Sequence, residues 1–184
     1  MYFYLLAATL IANFADSLFG PLYAIYVQNI GGDILDVGNT MALSSIATGF
    51  LIIVFGKLSD HGRKELYVTL GLSISALGTL GYIFISTPFQ LYLLQLVFAL
   101  STALLSAPFS ALFAEHIDKN KAGLLWALEG GGSKIIFGLG LLLGTFITYR
   151  FGFVTVFIIV FSFQICAALL LGRTLFLPQK KTVQ

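Results

Sequence analysis

Apolar residues in this chain come in long, nearly unbroken runs rather than in stripes or alternations. A helix needs about 20 mainly apolar residues to cross the hydrocarbon of a bilayer. Runs of that kind fall at roughly 3–27, 39–57, 66–86, 90–113, 123–148 and 152–173. The breaks between them are short and polar. Asn29 to Gly38 contains Asp33 and Asp36, Lys57 to Glu65 is dense in charge, and Thr87-Pro88 marks a tight turn. Glu115 to Lys121 is polar, and Tyr149-Arg150 divides the last two runs. The pattern predicts an all-α membrane protein, with six transmembrane helices in a single domain over residues 1–184.

Composition agrees. Hydrophobic residues make up 58% of the chain and charged residues only 10%, with a mean hydropathy of +0.96. A soluble domain carries about 25% charged residues because its surface faces water. The outside of this protein is therefore expected to face membrane lipid. A net charge of +2 is too small to predict a nucleic-acid surface. The single cysteine, Cys166, lies in an apolar run and reads as an inert thiol. The first run lacks a basic start and carries Asp16 in its middle, so it reads as a span rather than a cleaved signal peptide.

Lysine and arginine set the expected orientation. Lys57, Arg63, Lys64, Lys119, Lys121, Arg173, Lys180 and Lys181 fall on one side, and Arg150 alone on the other. Asp33 and Asp36 make the opposite side's first loop acidic. Both termini are expected in the cytoplasm.

The break between the second and third runs reads Gly56-Lys57-Leu58-Ser59-Asp60-His61-Gly62-Arg63-Lys64. Charge alone would make this an ordinary positively charged cytoplasmic loop. Gly56 at a helix end permits close packing of another helix, Gly62 permits a tight reversal, and Asp60 can face the positive end of a neighbouring helix. Arg63 and Lys64 anchor the loop at the surface. This arrangement resembles the signature loop of the major facilitator superfamily, Gly-x-Leu-x-Asp-x-x-Gly-Arg-Lys, with one residue fewer between Asp60 and Gly62. Phe19 to Tyr26, with Pro21, is similar to the family's exit from the first helix. Ala107-Pro108 through Glu115 looks like its run into the central cytoplasmic loop, and Gly138, Gly140, Gly144, Gly152 and Phe157 have the spacing of its fifth and sixth helices.

The resemblance implies half of a carrier: two inverted three-helix repeats, in a bacterial or archaeal cytoplasmic membrane. Such carriers enclose their cavity between two halves. A homodimer, or a second six-helix half, is therefore the expected partner, with a small-molecule substrate between the halves and no cofactor. In a dimer, the fifth helix would pack near the partner's second, and Asp60 would meet the start of that fifth helix near Ala122 and Gly123. Two departures matter. Leu93 to Leu96 lacks the arginine found in the fourth helix of many proton-coupled members, and the fifth helix lacks a Gly-Pro pair. Proton antiport of drugs is therefore not supported by motif.

Polar residues at membrane depth are costly and mark candidate function. Asp16 falls near the middle of the first run, Lys134 near the middle of the fifth, and Glu129 nearer the cytoplasmic end. Asn13, Asp16, Gly20 and Tyr23 recur at steps of three or four and share a helix face. Gln95, Thr102 and Ser106 form a similar face on the fourth helix. The expected substrate or ion cavity is thus Asn13, Asp16, Tyr23, Gln95, Thr102, Ser106 and Lys134. Asp16 and Lys134 could instead neutralise each other and hold helices together, or do both as a gate. Gly130-Gly131-Gly132 could loosen its helix. Alternatively Gly131 and Gly138, with Gly140 and Gly144 nearby, let a partner helix approach closely, which is the preferred reading.

Enzymatic readings fare poorly. His61 and His116 lie at the cytoplasmic surface, so an intramembrane serine protease lacks its base. No metal-ligand cluster, phosphate-binding loop or paired Asn-Pro-Ala turn occurs in the sequence. A secondary carrier of a small solute and a non-transporting membrane module or remnant remain. The costly charges favour the carrier.

Overall fold

A computed structural model describes residues 2–176, and the tail positions Pro178, Lys180 and Lys181 lie outside them. Among the described residues the secondary structure is entirely helical: α1 (Tyr2–Phe19), α2 (Tyr23–Asn29), α3 (Ile34–Ser59), α4 (Lys64–Gly81), α5 (Pro88–His116) and α6 (Ala122–Gly172), joined by short 3-10 turns. In hydrocarbon every backbone N–H and C=O must be satisfied within the segment, which leaves the helix as the solution for such apolar runs. Five helical stretches are long and apolar enough to cross a membrane, α1 and α2 forming one of them through the 3-10 turn Gly20–Leu22.

Five stretches stand where the sequence pattern predicts six helices, because the expected break at Tyr149-Arg150 does not end the helix. The 51-residue α6 is interrupted only at Gly152, with φ 80° and ψ 174°. Gly140 packs against Ser17, while Gln164 hydrogen-bonds the adjacent Asp16. In one straight helix Gly140 and Gln164 would stand roughly 36 Å apart at about 1.5 Å per residue. Both reach the same step of α1, so α6 folds back at Gly152 into two arms. A positive φ of this kind is adopted freely only by glycine.

Other ends differ from the apolar runs for local reasons. The α3 helix begins at Ile34, earlier than expected, because Asp33 accepts N–H bonds from Leu35 and Asp36 while Asp36 accepts from Asp33 N. This reciprocal capping box satisfies the first turn's orphan donors and draws Asp36 into the helix. Thr87 accepts from Gln90 N and Pro88 occupies the first turn, so α5 starts sharply. Pro108 sits buried inside α5.

Two apolar clusters hold the bundle, one toward each end. Phe19, Tyr26, Tyr82, Leu91, Phe157 and Val160 belong to the first, and Leu5, Val68, Leu112, Phe113, Ala167 and Leu171 to the second. Three helices show what lies between. Asn13 falls between the clusters on α1 with Asp16 one turn further on, Ser75 and Thr79 fall between them on α4, and Gln164 on the second arm of α6. A polar layer therefore interrupts the core at mid-height.

Close helix contacts rest on small residues. A Cβ at Gly140 would overlap the Ser17 hydroxyl, and one at Gly144 would overlap the Leu18 backbone. A Cβ at Gly56 of α3 would lie 3.5 Å from the Ala107 Cβ of α5, an ordinary van der Waals contact, so the approach of these two helices does not require glycine at that position. Gly131 and Gly138 have open space around them. The glycines of the first arm thus divide: Gly140 and Gly144 serve packing on α1 within the chain, while Gly131 and Gly138 lie on its exposed side. Gly144→Ala is expected to cost about 1–3 kcal/mol through overpacking, whereas Gly138→Ala should leave stability within about 0.5 kcal/mol. Unfolding of both variants in detergent micelles measures the difference, and equal losses would contradict the packing described.

Candidate substrate cavity

The polar layer opens into a cavity of about 160 Å³ between α1, α4, α5 and the second arm of α6. Thr9, Asn13 and Asp16 reach it from α1, Ser75 from α4, Ser106 from α5 and Gln164 from α6. Leu72, Leu105, Phe109 and Leu171 supply apolar wall. Asp16 is itself exposed, at the cavity's open side. Three of the residues predicted to form a cavity, Asn13, Asp16 and Ser106, are thereby brought together.

Gln164 organises the layer. Its amide Nε2 donates to Asp16 Oδ1 at 2.9 Å and to Ser75 Oγ at 3.1 Å. Its carbonyl Oε1 accepts from Thr79 Oγ1 at 2.8 Å. An ionised carboxylate can only accept, so the amide must turn its nitrogen toward Asp16. With 2% of its surface exposed, Gln164 has all of its polar capacity committed save one acceptor lone pair. Neither Gln164 nor Ser75 nor Thr79 stands out in the sequence reading. The available signal was a lone glutamine in the apolar run from Phe153 to Leu171.

Tyr23 and Gln95 occupy a different cluster. The α1 helix ends at Phe19, so the predicted stripe breaks at the turn holding Gly20 and Pro21. Beyond it, Tyr23 donates to Thr40 Oγ1 at 2.6 Å, and Gln95 Nε2 donates to Tyr23 and Tyr82 hydroxyls at 3.0 and 3.2 Å. Thr40 and Tyr92 continue the network to Asp36, through its main-chain carbonyl and its carboxylate respectively. Gln95 is buried, where it joins α2, the 3-10 turn that follows α4, and α5 to one another. Thr102 is exposed on α5 and does not line the cavity.

Lys134 is exposed on the first arm of α6, one residue beyond Ser133, whose hydroxyl accepts from Asn13 Nδ2 at 2.7 Å. It is not a cavity residue of this chain. Nor does it neutralise Asp16: the only ion pair among the described residues joins Lys64 Nζ and Glu115 Oε1 at 2.9 Å. Asp16 instead takes its hydrogen bond from a neutral amide.

That ion pair belongs to the signature loop. The α3 helix ends at Ser59, Asp60 is exposed just beyond it, and α4 starts at Lys64. Arg63 Nη2 donates to the Leu175 carbonyl at 2.6 Å, tying the loop to the end of α6 while Lys64 ties it to the end of α5. Gly62 does not adopt a positive φ. Its role is space: a Cβ there would come within 2.8 Å of the Tyr67 ring. The described residues contain no His, Cys, Asp and Glu group able to hold a metal ion.

This architecture, apolar helices around a polar layer with a glycine-arginine loop at one end, agrees with the comparisons to known proteins. The chain belongs to the Major Facilitator Superfamily, whose family model matches residues 5–184. Among similar proteins is the multi-drug resistance efflux pump PmrA of Streptococcus pneumoniae, 30% identical over 84% of this chain and 39% of that protein. The multidrug resistance protein MdtG of Salmonella typhimurium is 26% identical over 83% of this chain and 39% of its own length. An uncharacterized MFS-type transporter of Methanocaldococcus jannaschii is 24% identical over 72% of the chain and 34% of the relative. The chain thus spans well under half the length of these relatives. It is an integral membrane protein by family and by its apolar helices.

Replacing Gln164 by leucine removes the only side-chain hydrogen bond to Asp16 among the described residues and leaves Ser75 and Thr79 short of a partner. Gln164→Leu is expected to destabilise the fold by about 1–3 kcal/mol, and Asp16→Asn by less, because an asparagine carbonyl still accepts from Gln164. Denaturant titration of both variants in micelles tests the order, and the reverse order would remove Gln164 from the centre of the layer.

Proposed function

We propose that this chain is the six-helix half of a secondary carrier that moves a small solute across the membrane. Each arm of α6 crosses once, giving six crossings arranged as two inverted three-helix repeats in one domain. Both termini are cytoplasmic, in a bacterial or archaeal cytoplasmic membrane. The observation that carries this reading is Asp16, a carboxylate at mid-height on the open side of a cavity, without a cation among the described residues to neutralise it. A charge placed at the centre of a membrane helix costs about 2.5–3.5 kcal/mol on insertion scales. A module with no transport cycle has no use for that cost, and this observation weighs against the non-transporting alternative.

The relatives' length supports a second half, whether a second copy of this chain, a separately encoded half or further sequence. The two halves would rock about the solute, with alternating access to the two sides. Gly131, Lys134 and Gly138 offer the exposed side of α6 to that partner, and the Gly56 to Lys64 loop would switch contacts as the halves move. The reaction is transport, not enzymatic conversion.

The mass of the purified protein in a lipid nanodisc is the first test. A complex of two 20.0 kDa chains supplies both halves, and a strict monomer would remove the homodimer. In reconstituted vesicles containing both halves, Asp16→Asn should abolish coupled uptake while the protein stays folded. Undiminished transport by that variant would sink the coupling role of Asp16.

A further inference from the structure

We propose that the cavity binds a small protonated amine with an apolar body, its ammonium group held by Asp16. The inference rests on the carrier reading in taking this cavity as the solute site, and it names the solute's chemical class. It begins with charge. Among the described residues Asp16 is the only ionisable one lining the cavity, and no lysine, arginine or histidine joins it there. Gln164 occupies Oδ1 and leaves Oδ2 without a partner among the described residues. A carboxylate drawn from water requires pairing, and a cationic ligand supplies the missing charge. An anionic solute would meet only repulsion.

The hydrogen-bonding inventory narrows the cation. Both amide N–H groups of Gln164 are used, toward Asp16 and Ser75. Asn13 turns its amide nitrogen to Ser133 and spends one N–H there, which leaves its carbonyl oxygen as an acceptor beside the second N–H. Thr9 spends its hydroxyl proton on the Leu5 carbonyl and can otherwise only accept. Ser106 adds a hydroxyl that can accept as well. What remains around Asp16 is mainly acceptors, the complement of an ammonium carrying several N–H donors rather than of a quaternary cation. Charge-assisted bonds of this type are the stronger class.

The rest of the lining fixes the body of the ligand. Val68, Leu72, Leu105, Phe109 and Leu171 face the same space, which a hydrated metal ion would leave unmatched and an alkyl or aryl group would fill. At about 160 Å³ the cavity is below the roughly 300–1,000 Å³ usual for ligand pockets. It suits a compact amine, with any larger part extending past Asp16 through the open side.

Calorimetric titration of the full chain in nanodiscs with phenethylamine, phenethyl alcohol and hydrocinnamate tests the proposal at neutral pH. The amine should bind at least about tenfold more tightly than either analogue, and Asp16→Asn should erase that preference. Ser106→Leu, on a different helix and at an exposed position, should weaken the amine by narrowing the cavity. Equal affinity for amine and alcohol, no binding by any of the three, tighter binding of hydrocinnamate, or displacement of the amine by equimolar sodium would each overturn the proposal. Because binding is read without transport, amine binding with no uptake in vesicles containing both halves would fail the carrier reading and leave this one standing. Uptake without amine selectivity would do the opposite.

Discussion

The bundle depends on α1 being clamped between the two arms of α6, and that clamp depends on one backbone angle. Gly152 at a φ of 80° turns the second arm back along the first without a loop. Once the arm returns, Gly140 and Gly144 on the first arm set the distance to α1, because neither position has room for a Cβ. The second arm then carries Gln164 to Asp16. A longer connection would allow the arms to slide relative to each other, and α1 would lose the register that pairs a carboxylate with an amide. Close approach without side chains is also what membrane helices need, since lipid offers no hydrophobic drive to push them together.

The polar layer is tolerable because it is shared. Ser75, Thr79 and Gln164 satisfy one another inside the bundle and present a single donor to Asp16, the one charge that the layer itself carries. Apolar clusters on either side keep the layer narrow. The arrangement resolves a conflict built into any polar layer inside a membrane bundle: its groups need partners, yet the core around them must stay dry enough to fold. Lys134 lies outside this solution. Its exposure on the first arm, beside the open glycines, places it on the outer surface of the bundle.

Much of this was legible in the sequence. Apolar runs gave the helices because the bilayer fixes their length, and the signature loop stood out because glycines and charges fall at fixed offsets there. Asp16 was visible as a charge within an apolar run. Gln164 was not, because a single amide in such a run acquires meaning only when the chain folds back beside a carboxylate. Tyr23 shares a face with Asp16 by spacing, yet that periodicity does not survive the Gly20–Pro21 turn, while Gln95 and Ser106 share a face of α5 but stand three turns apart and so reach different clusters. The early start of α3 was also hidden, since Asp33 and Asp36 read as loop residues until their side chains and backbone bond reciprocally. The break before Gly152 looked like two polar residues, Tyr149 and Arg150, whereas the backbone turns at the glycine that follows them.

A carboxylate held by a neutral amide behaves differently from one held by a lysine. A lysine partner would bury the charge in a finished ion pair, and a ligand would have to break that pair before using either group. The amide orients Asp16 without cancelling its charge. The unspent charge stays at the open side of the cavity. The same residue choice explains why α1 can be both rigid and receptive. Its position is set by glycine contacts on one face and its chemistry by Gln164 on another, so a ligand at Asp16 need not disturb the contacts that hold the helix in place.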